Sequence, residues 1–319
     1  MANRDPIILA CAADSGYALP LAVMLRSVGA HLGAGRIAEA YVLDDGILPQ
    51  DRERILASLP ANMRVHWCSP PALGGNLPLW GRMSITTYQK LTLGQWVPPD
   101  INRVLWLDCD MLVLADIDAL WQTSVEGTVA LAVQDQRVPL VSSRFGVGAW
   151  RELGLPRDAK HFNAGLLLID LAAWRSLDVL SRSMAYLSDY GDRIYFWDQE
   201  ALNAVLSGRW REIGASWNFH PALEHVHGIR IGEPGIVHFS GNLKPWRFAG
   251  ANEHRVRYRS FLAQTAWAAE PLQREWRDGI LEWYECSPLR RILYPAEQWA
   301  TMAQRFFTRA GSANGQRKP

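Results

Sequence analysis

Pro6-Ile-Ile-Leu-Ala-Cys-Ala-Ala13 is a continuous apolar run, and the segment after it, Leu19 to His31, carries Leu21, Met24, Leu25 and Val28 at helical spacing. A strand apolar on both faces, followed by an amphipathic helix, opens a parallel sheet covered on two sides. The alternation continues outward: Ala38 to Leu43 reads as a strand, Gln50 to Leu59 as a helix and Met63 to Cys68 as a strand. Beyond these, the pattern predicts a helix over Thr86 to Gln95, strand pieces at Arg103 to Leu107 and Met111 to Leu114, and a strand at Thr128 to Val133. Asn163-Ala-Gly165 leads into the apolar run Leu166 to Ile169, followed by helices at about Ala172 to Asp189 and Gln199 to Ser207. The expected fold is α/β, with a mostly parallel central sheet flanked by helices.

The 319 residues suffice for one large α/β domain or two smaller ones. Lys+Arg 33 against Asp+Glu 32, interspersed along the chain, leaves a net charge of +1. A protein that tracks nucleic-acid phosphates needs a basic excess on one face, so nucleic acid is not an expected partner. Cys11, Cys68, Cys109 and Cys286 lie far apart with no C-x-x-C pair, the ordinary usage of a reducing cytoplasm. The first apolar run is short and soon meets Asp14, so it reads as a strand and not as a signal peptide. No stretch approaches the roughly 20 apolar residues of a membrane span. A cytoplasmic protein is expected.

From about Pro271 the composition shifts: Trp276, Trp283, Tyr284, Tyr294, Trp299, Phe306 and Phe307 alternate with Arg274, Arg277, Arg290, Arg291, Arg305 and Arg309. The expected organisation is a main domain over 1–270 and a helical tail over 271–319 with a disordered end. The tail has two readings. Leu289 to Arg309 suits peripheral contact with an anionic inner-membrane surface, with Arg at the headgroups and Trp and Phe deeper. The preceding helix, with Trp276, Ile280, Trp283 and Tyr284 on one face, suits packing on the domain.

The sharpest chemical signal is Val104-Leu-Trp-Leu-Asp108-Cys-Asp110. Extended residues two apart share a face, so both carboxylates can meet one point beyond the strand's carboxyl end, where open α/β sheets bind ligands. Two hard oxygen donors suit Mg²⁺ or Mn²⁺, and the bland alternative is a pair of acids in a surface turn. A D-x-D after an apolar strand also opens phosphatases with an aspartyl nucleophile, but those want it near the N-terminus with Thr or Val where this chain has Leu112. In Ile236-Val-His238-Phe-Ser-Gly241-Asn-Leu-Lys244-Pro-Trp246, the imidazole can complete a metal site and favour Mn²⁺, although a lone histidine is usually a satisfied core residue. Gly241 permits close backbone approach and Lys244 offers a point charge for phosphate. Asp198, in Phe196-Trp-Asp198-Gln199-Glu200, is a ligand contact or a helix cap. Asn163 presents an amide or makes a turn, and Asp14 is a contact at the switch point or a loop acid. The polar segment from Gln134 to Lys160 is long and irregular, the kind of loop that is usually functional.

Taken together, Ala12-Ala-Asp14-Ser-Gly-Tyr17, Met83-Ser-Ile-Thr-Thr-Tyr88-Gln-Lys90, Leu105-Trp-Leu-Asp108-Cys-Asp110, His161-Phe-Asn163-Ala-Gly165, Trp197-Asp198-Gln199-Glu and Val237-His238 through Trp246 resemble the family 8 retaining glycosyltransferases. The likeness is to the bacterial lipopolysaccharide galactosyl- and glucosyltransferases in particular. The motifs keep the family's order from residue 7 to about 247. The resemblance implies a GT-A nucleotide-diphospho-sugar transferase fold and transfer of a hexose, galactose or glucose, from a UDP-sugar to a glycan or glycolipid hydroxyl. It implies Mn²⁺ at Asp108, Asp110 and His238, nucleotide contacts from Asp14 and Tyr17, and diphosphate contacts from Gly241 and Lys244. Lys90, Asn163, Asp198 and Gln199 match sugar-binding positions, with Gln199 and Asp198 nearest the reacting carbon. The family usually has Arg at Lys90, so a bidentate clamp becomes a point charge here. Asp135, on the long loop, is a candidate acceptor-side contact. Two rivals remain: a sugar nucleotidyltransferase, which would want a basic Gly-rich loop after the first strand, and a non-catalytic sugar-binding protein, which would be expected to lack some of the metal ligands.

Overall fold

The computed structural model describes residues 5–75, 77–79, 84–221, 232–241, 244–248, 252–272 and 279. Most of the tail expected over 271–319, including 289–309, lies outside the described residues. The first half runs β1 (Ile7–Ala13), α1 (Ala18–Ala30), β2 (Ala38–Asp44), α2 (Pro49–Ser58), β3 (Met63–Cys68), α3 (Leu93–Trp96), β4 (Arg103–Leu107), β5 (Met111–Val113) and α4 (Asp118–Trp121). The second half adds β6 (Ala130–Gln134), β7 (Phe162–Asp170), α5 (Leu171–Ser176), α6 (Val179–Tyr190), α7 (Trp197–Leu206), β8 (Trp210–Glu212), β9 (Ile236–His238) and α8 (Glu253–Leu262).

Seven strands form the central sheet in the order β3-β2-β1-β4-β7-β6-β8, and only β7 runs against the others. The sheet is buried on both faces because successive residues point opposite ways. Leu9, Cys11, Leu105, Leu107, Leu166 and Leu168 enter one core with Leu21, Leu25 and Val28 of α1. Ala10, Val104, Trp106, Leu167 and Ile169 enter the other with Tyr88, Trp174 and Leu202. Continuous apolar runs are what such strands require, which is why the sheet is visible in the sequence.

Two helical expectations change. Thr86 to Gln95 is a 3-10 segment, Ile85–Thr92, followed by the single turn of α3. Its hydroxyls compete for backbone groups: Ser84 Oγ caps Thr86 N–H at 3.3 Å and Thr92 Oγ1 donates to Gln89 C=O at 2.7 Å. The helix expected from Ala172 to Asp189 breaks at Asp178, which turns left-handed at φ 51° and accepts from Ser181 N–H to cap α6. Strand β8 and helix α8 had no clear sequence signal.

A two-stranded ribbon, β5 against β9, pairs Met111 with His238. Phe239 N–H donates to Asp110 C=O at 3.0 Å, so the backbone register itself brings His238 to the acidic turn. The long loop from Gln134 to Lys160 is anchored at both ends and in its middle. Leu140 bridges Lys160, and His161 exchanges backbone bonds with Pro139 and Asp135. Buried Glu200 accepts from Gly148 N–H at 2.8 Å, Tyr195 N–H at 2.6 Å and Tyr186 Oη at 2.7 Å. Among the described residues, no helix is long and apolar enough to cross a membrane.

His161, fully buried at the foot of this loop, has its imidazole held down to about 4, chiefly by burial. Between that value and the ordinary histidine value the unfolded chain binds a proton that the native chain refuses, so stability falls as pH falls through this window. Wild type is expected to lose on the order of 3 kcal/mol relative to His161→Leu between pH 7 and pH 4. Urea unfolding of both proteins across that range checks it, and parallel curves would contradict it.

Candidate functional site

The apolar strand β4 ends at Leu107, and the chain turns through Asp108-Cys109-Asp110 before β5. Asp108 N–H is tied to Gly165 C=O on β7 at 2.8 Å, and Trp106, two residues earlier on the same face, donates its indole N–H to Asp108 Oδ1 at 2.8 Å. Asp108 stays partly open to solvent, whereas Asp110 is buried. His238 Nε2 lies 3.2 Å from Asp110 Oδ1 and 4.0 Å from Asp108 Oδ2. Donor atoms of all three residues fall within 4.8 Å of one another. Asp110 Oδ2 pairs with Lys244 Nζ, which also donates to Phe239 C=O at 3.0 Å, while Asp110 Oδ1 is buried without a hydrogen-bond partner.

Charge sets the protonation of this group. Burial would raise the Asp110 carboxyl, but Lys244 and then His238 hold it well below the usual carboxylate range. For Asp108 burial prevails over the pull of Lys90, and its carboxyl is raised. Burial pulls both lysines down, yet Asp108 and Asp198 beside Lys90, and Asp110 beside Lys244, raise them above the ordinary value. Both ammonium groups are therefore charged at neutral pH.

Lys90 lies buried between two segments, 3.3 Å from Asp108 Oδ1 and 2.9 Å from Asp198 Oδ2, with the Trp106 ring centroid 5.2 Å away. Asp198 sits in the first turn of α7, but its carboxylate does not cap the helix. Thr87 Oγ1 donates to its other oxygen at 2.9 Å, so both oxygens are held by the 3-10 segment. Trp197, directly before it, is left-handed at φ 37°, a strained setting for a bulky residue. Gln199 is held at both ends: Oε1 accepts from Ala164 N–H at 3.0 Å and Nε2 donates to Asp135 Oδ2 at 3.1 Å. Asp135 is buried, and its Oδ1 accepts from Arg137 N–H at 2.9 Å. Despite burial, Arg137 and the nearby His220 and His161 keep its carboxyl below the ordinary range. Asn163 lies within β7 and accepts from Gly165 N–H at 3.0 Å.

On the β1 side, Asp14 accepts from Gly16 N–H at 3.0 Å and caps the turn that carries Tyr17. Tyr17 packs edge-on against Trp246 with ring centroids 5.8 Å apart, and Lys244 Nζ lies 6.0 Å from the Tyr17 ring. Gly241 adopts φ 91° with open space where a Cβ would be, which favours glycine. Contacts thus join the residues singled out in the sequence into two neighbouring groups. One is Asp108, Asp110, His238, Lys244, Lys90 and Asp198, with Tyr17 at its edge. The other is Asn163, Gln199 and Asp135. Thr87, Trp106, Asn218 and Glu200 escaped the sequence reading. Trp106 had a signal, since it shares the face of Asp108 two residues away, but nothing in sequence joins Asn218 or Thr87 to their partners.

The sequence model described as glycosyl transferase family 8 matches residues 8–250. General stress protein A of Bacillus subtilis is 25% identical over 296 residues, covering 83% of this chain and 96% of that protein. Glycosyltransferase GlyB of Streptococcus pneumoniae is 25% identical over 193 residues, covering 56% of this chain and 42% of that longer protein. Among solved structures, the galactosyltransferase LgtC in complex with donor and acceptor sugar analogues has a TM-score of 0.71 at 28% identity, covering 82% of this chain and 99% of that one. The GT-A fold is shared with LgtC.

The crowding at Gly165 is testable. A Cβ there would lie 2.3 Å from His238 Cε1 and 3.0 Å from Asn163 Oδ1. Gly165→Ala is expected to lower the stability by about 1–3 kcal/mol as the ring is displaced. An unchanged urea midpoint would contradict this packing.

Proposed function

The chain belongs to glycosyl transferase family 8 and is a glycosyltransferase, and on that footing we propose that it moves a hexose, galactose or glucose, from a UDP-sugar to a hydroxyl of a glycan or glycolipid. The transfer retains anomeric configuration, depends on Mn²⁺ with Mg²⁺ as the alternative ion, and serves synthesis of lipopolysaccharide or another surface glycan. The observation that carries this reading is the convergence of Asp108, Asp110 and His238 within 4.8 Å, with Asp110 Oδ1 buried and unpartnered. Two carboxylates and an imidazole fit Mn²⁺. The charge distribution points the same way: among the described residues, the three carboxylates of Asp108, Asp110 and Asp198 share the two ammonium groups of Lys90 and Lys244 and the ring of His238. When bound there, Mn²⁺ supplies electrostatic stabilisation to the leaving diphosphate.

The remaining work falls to the chain's own residues. Asp14 and Tyr17 hold the nucleoside, and Gly241 and Lys244 hold the diphosphate, where the lysine offsets charge that grows as the glycosyl bond breaks. Lys90, Asn163, Asp198 and Gln199 orient the sugar. An amide is a weak nucleophile, and Gln199 is held at both ends; the Asp198 carboxylate is likewise engaged by Thr87 and Lys90. These restraints favour same-face attack through a short-lived ion pair, with the leaving phosphate oxygen taking the acceptor's proton. The acceptor enters beside the 134–160 loop, near Asp135. The likeness to a galactosyltransferase crystallised with donor and acceptor sugar analogues supports a sugar donor and a sugar acceptor. We place the catalytic domain at 1–270 in the cytoplasm, with the 271–319 tail meeting the inner membrane through 289–309.

Release of UDP from a panel of UDP-sugars, with Mn²⁺ and again with EDTA, tests the reading before any acceptor is known. One UDP-hexose is expected to turn over only with metal, and Asp110→Asn to lower the rate about 100-fold or more. Neither turnover nor binding of any UDP-sugar would contradict it.

A further inference from the structure

We propose that Asn218 is a positioning residue that fixes His238 in its Nδ1-protonated form, so that the Nε2 lone pair faces Asp108 and Asp110. The inference rests on the metal reading above for its purpose, but its hydrogen-bond logic stands apart from it.

One group in this chain of contacts has no choice of role. Gly165 N–H is a donor, and it bonds Asn163 Oδ1 at 3.0 Å, which fixes which end of the Asn163 amide is oxygen. The other end, Nδ2, then faces the carboxylate of Asp135 at 3.4 Å, an acceptor, as it must. Asn163 Oδ1 also meets Asn218 across 2.9 Å, and an oxygen there demands the Asn218 nitrogen. Asn218 Oδ1 is thereby turned to His238 Nδ1 at 2.9 Å, and an amide oxygen can only accept. The proton must therefore sit on His238 Nδ1. In the neutral ring this leaves Nε2 as a bare lone pair, 3.2 Å from Asp110 Oδ1.

That arrangement leaves two acceptors facing each other in a buried site. Asp110 Oδ1 has no hydrogen-bond partner, and the neutral ring's Nε2 can donate nothing to it. The chain from Gly165 forbids the opposite tautomer, which would leave His238 Nδ1 and the Asn218 oxygen as two facing acceptors. Two lone pairs held face to face suit a cation between them, and a metal-binding histidine is usually oriented through its other nitrogen. Gly165 adds a steric constraint. The His238 ring packs where a Cβ would stand, 2.9 Å from Nδ1, so the ring plane and its protonation are set by the same short stretch of β7. Asn218 itself is buried at the end of the 3-10 segment Ala215–Asn218, and Phe219 next to it bonds the β9 backbone, which fixes its height beside His238.

The test reads the tautomer directly. Two-bond ¹H–¹⁵N NMR on metal-free protein labelled with ¹⁵N-histidine, with His238 assigned through His238→Gln, is expected to show its ring protonated at Nδ1. In Asn218→Leu, and in the milder Asn218→Ser whose hydroxyl can donate or accept, that single form is expected to give way to the Nε2–H tautomer or a mixture. Mn²⁺ affinity, measured by titration calorimetry, is expected to fall about 10–100-fold in both. An Nε2-protonated ring in the wild type, or an Nδ1-protonated ring and unchanged Mn²⁺ affinity in a folded Asn218 variant, would overturn the proposal. A wild type that shows the Nδ1–H ring but takes up no Mn²⁺ would count against the metal reading and leave the relay standing.

Discussion

Two carboxylates just past the end of a central strand, Asp110 buried and Asp108 partly open, are a problem the fold must solve. Removing a charge from water costs several kcal/mol unless partners are supplied, and Asp108 and Asp110 repel each other besides. The partners come from segments far apart in sequence. Lys90 arrives on the 3-10 segment before β4, and Lys244 and His238 arrive on and after β9. Each needs its own backbone placement: the β5–β9 register for His238, and the Thr87–Asp198 contact that braces Lys90. Asp198 also draws on Lys90, so three carboxylates divide two ammonium groups and one imidazole, and this concentration of acids is what makes the knot a candidate site.

Around that knot lies a neutral lattice built on β7. Asn163, Gly165 and Ala164 offer backbone and amide groups to Asn218, Asp108 and Gln199, and Asp135 closes the lattice from the other side. The one reversed strand of the sheet is thus also the strand that touches the most site residues. Buried polar networks of this kind are costly when partly satisfied and specific when complete. Here Asn163, Asn218 and Gln199 have partners with defined donor and acceptor roles, while Asp110 Oδ1 is buried without one.

Much of the fold was legible because apolar strands between amphipathic helices leave a pattern no other architecture needs. Strands β1 to β4 and helices α1, α2 and α7 fall within a few residues of their expected places. The pattern missed where side chains compete with the backbone, as the hydroxyls of 84–92 do, or where one residue takes a left-handed turn, as Asp178 does. In the site, Asp108 and Asp110 were legible from strand periodicity, and His238 and Lys244 from one short motif that drew attention only in combination with those acids. Asp135, expected as a candidate acceptor-side contact, is buried and engages Arg137, Asn163 and Gln199. Asn218 was invisible because its partner is twenty residues away and asparagine in a loop has no periodicity to betray it.

Asp108, Asp110 and His238 define one location for one ion. Crystals of the protein grown with Mn²⁺ and UDP, measured at the manganese absorption edge, report that location without reference to turnover. A single anomalous peak between Asp108, Asp110 and His238 is the result the account predicts. No peak there, or manganese held elsewhere on the chain, would contradict it.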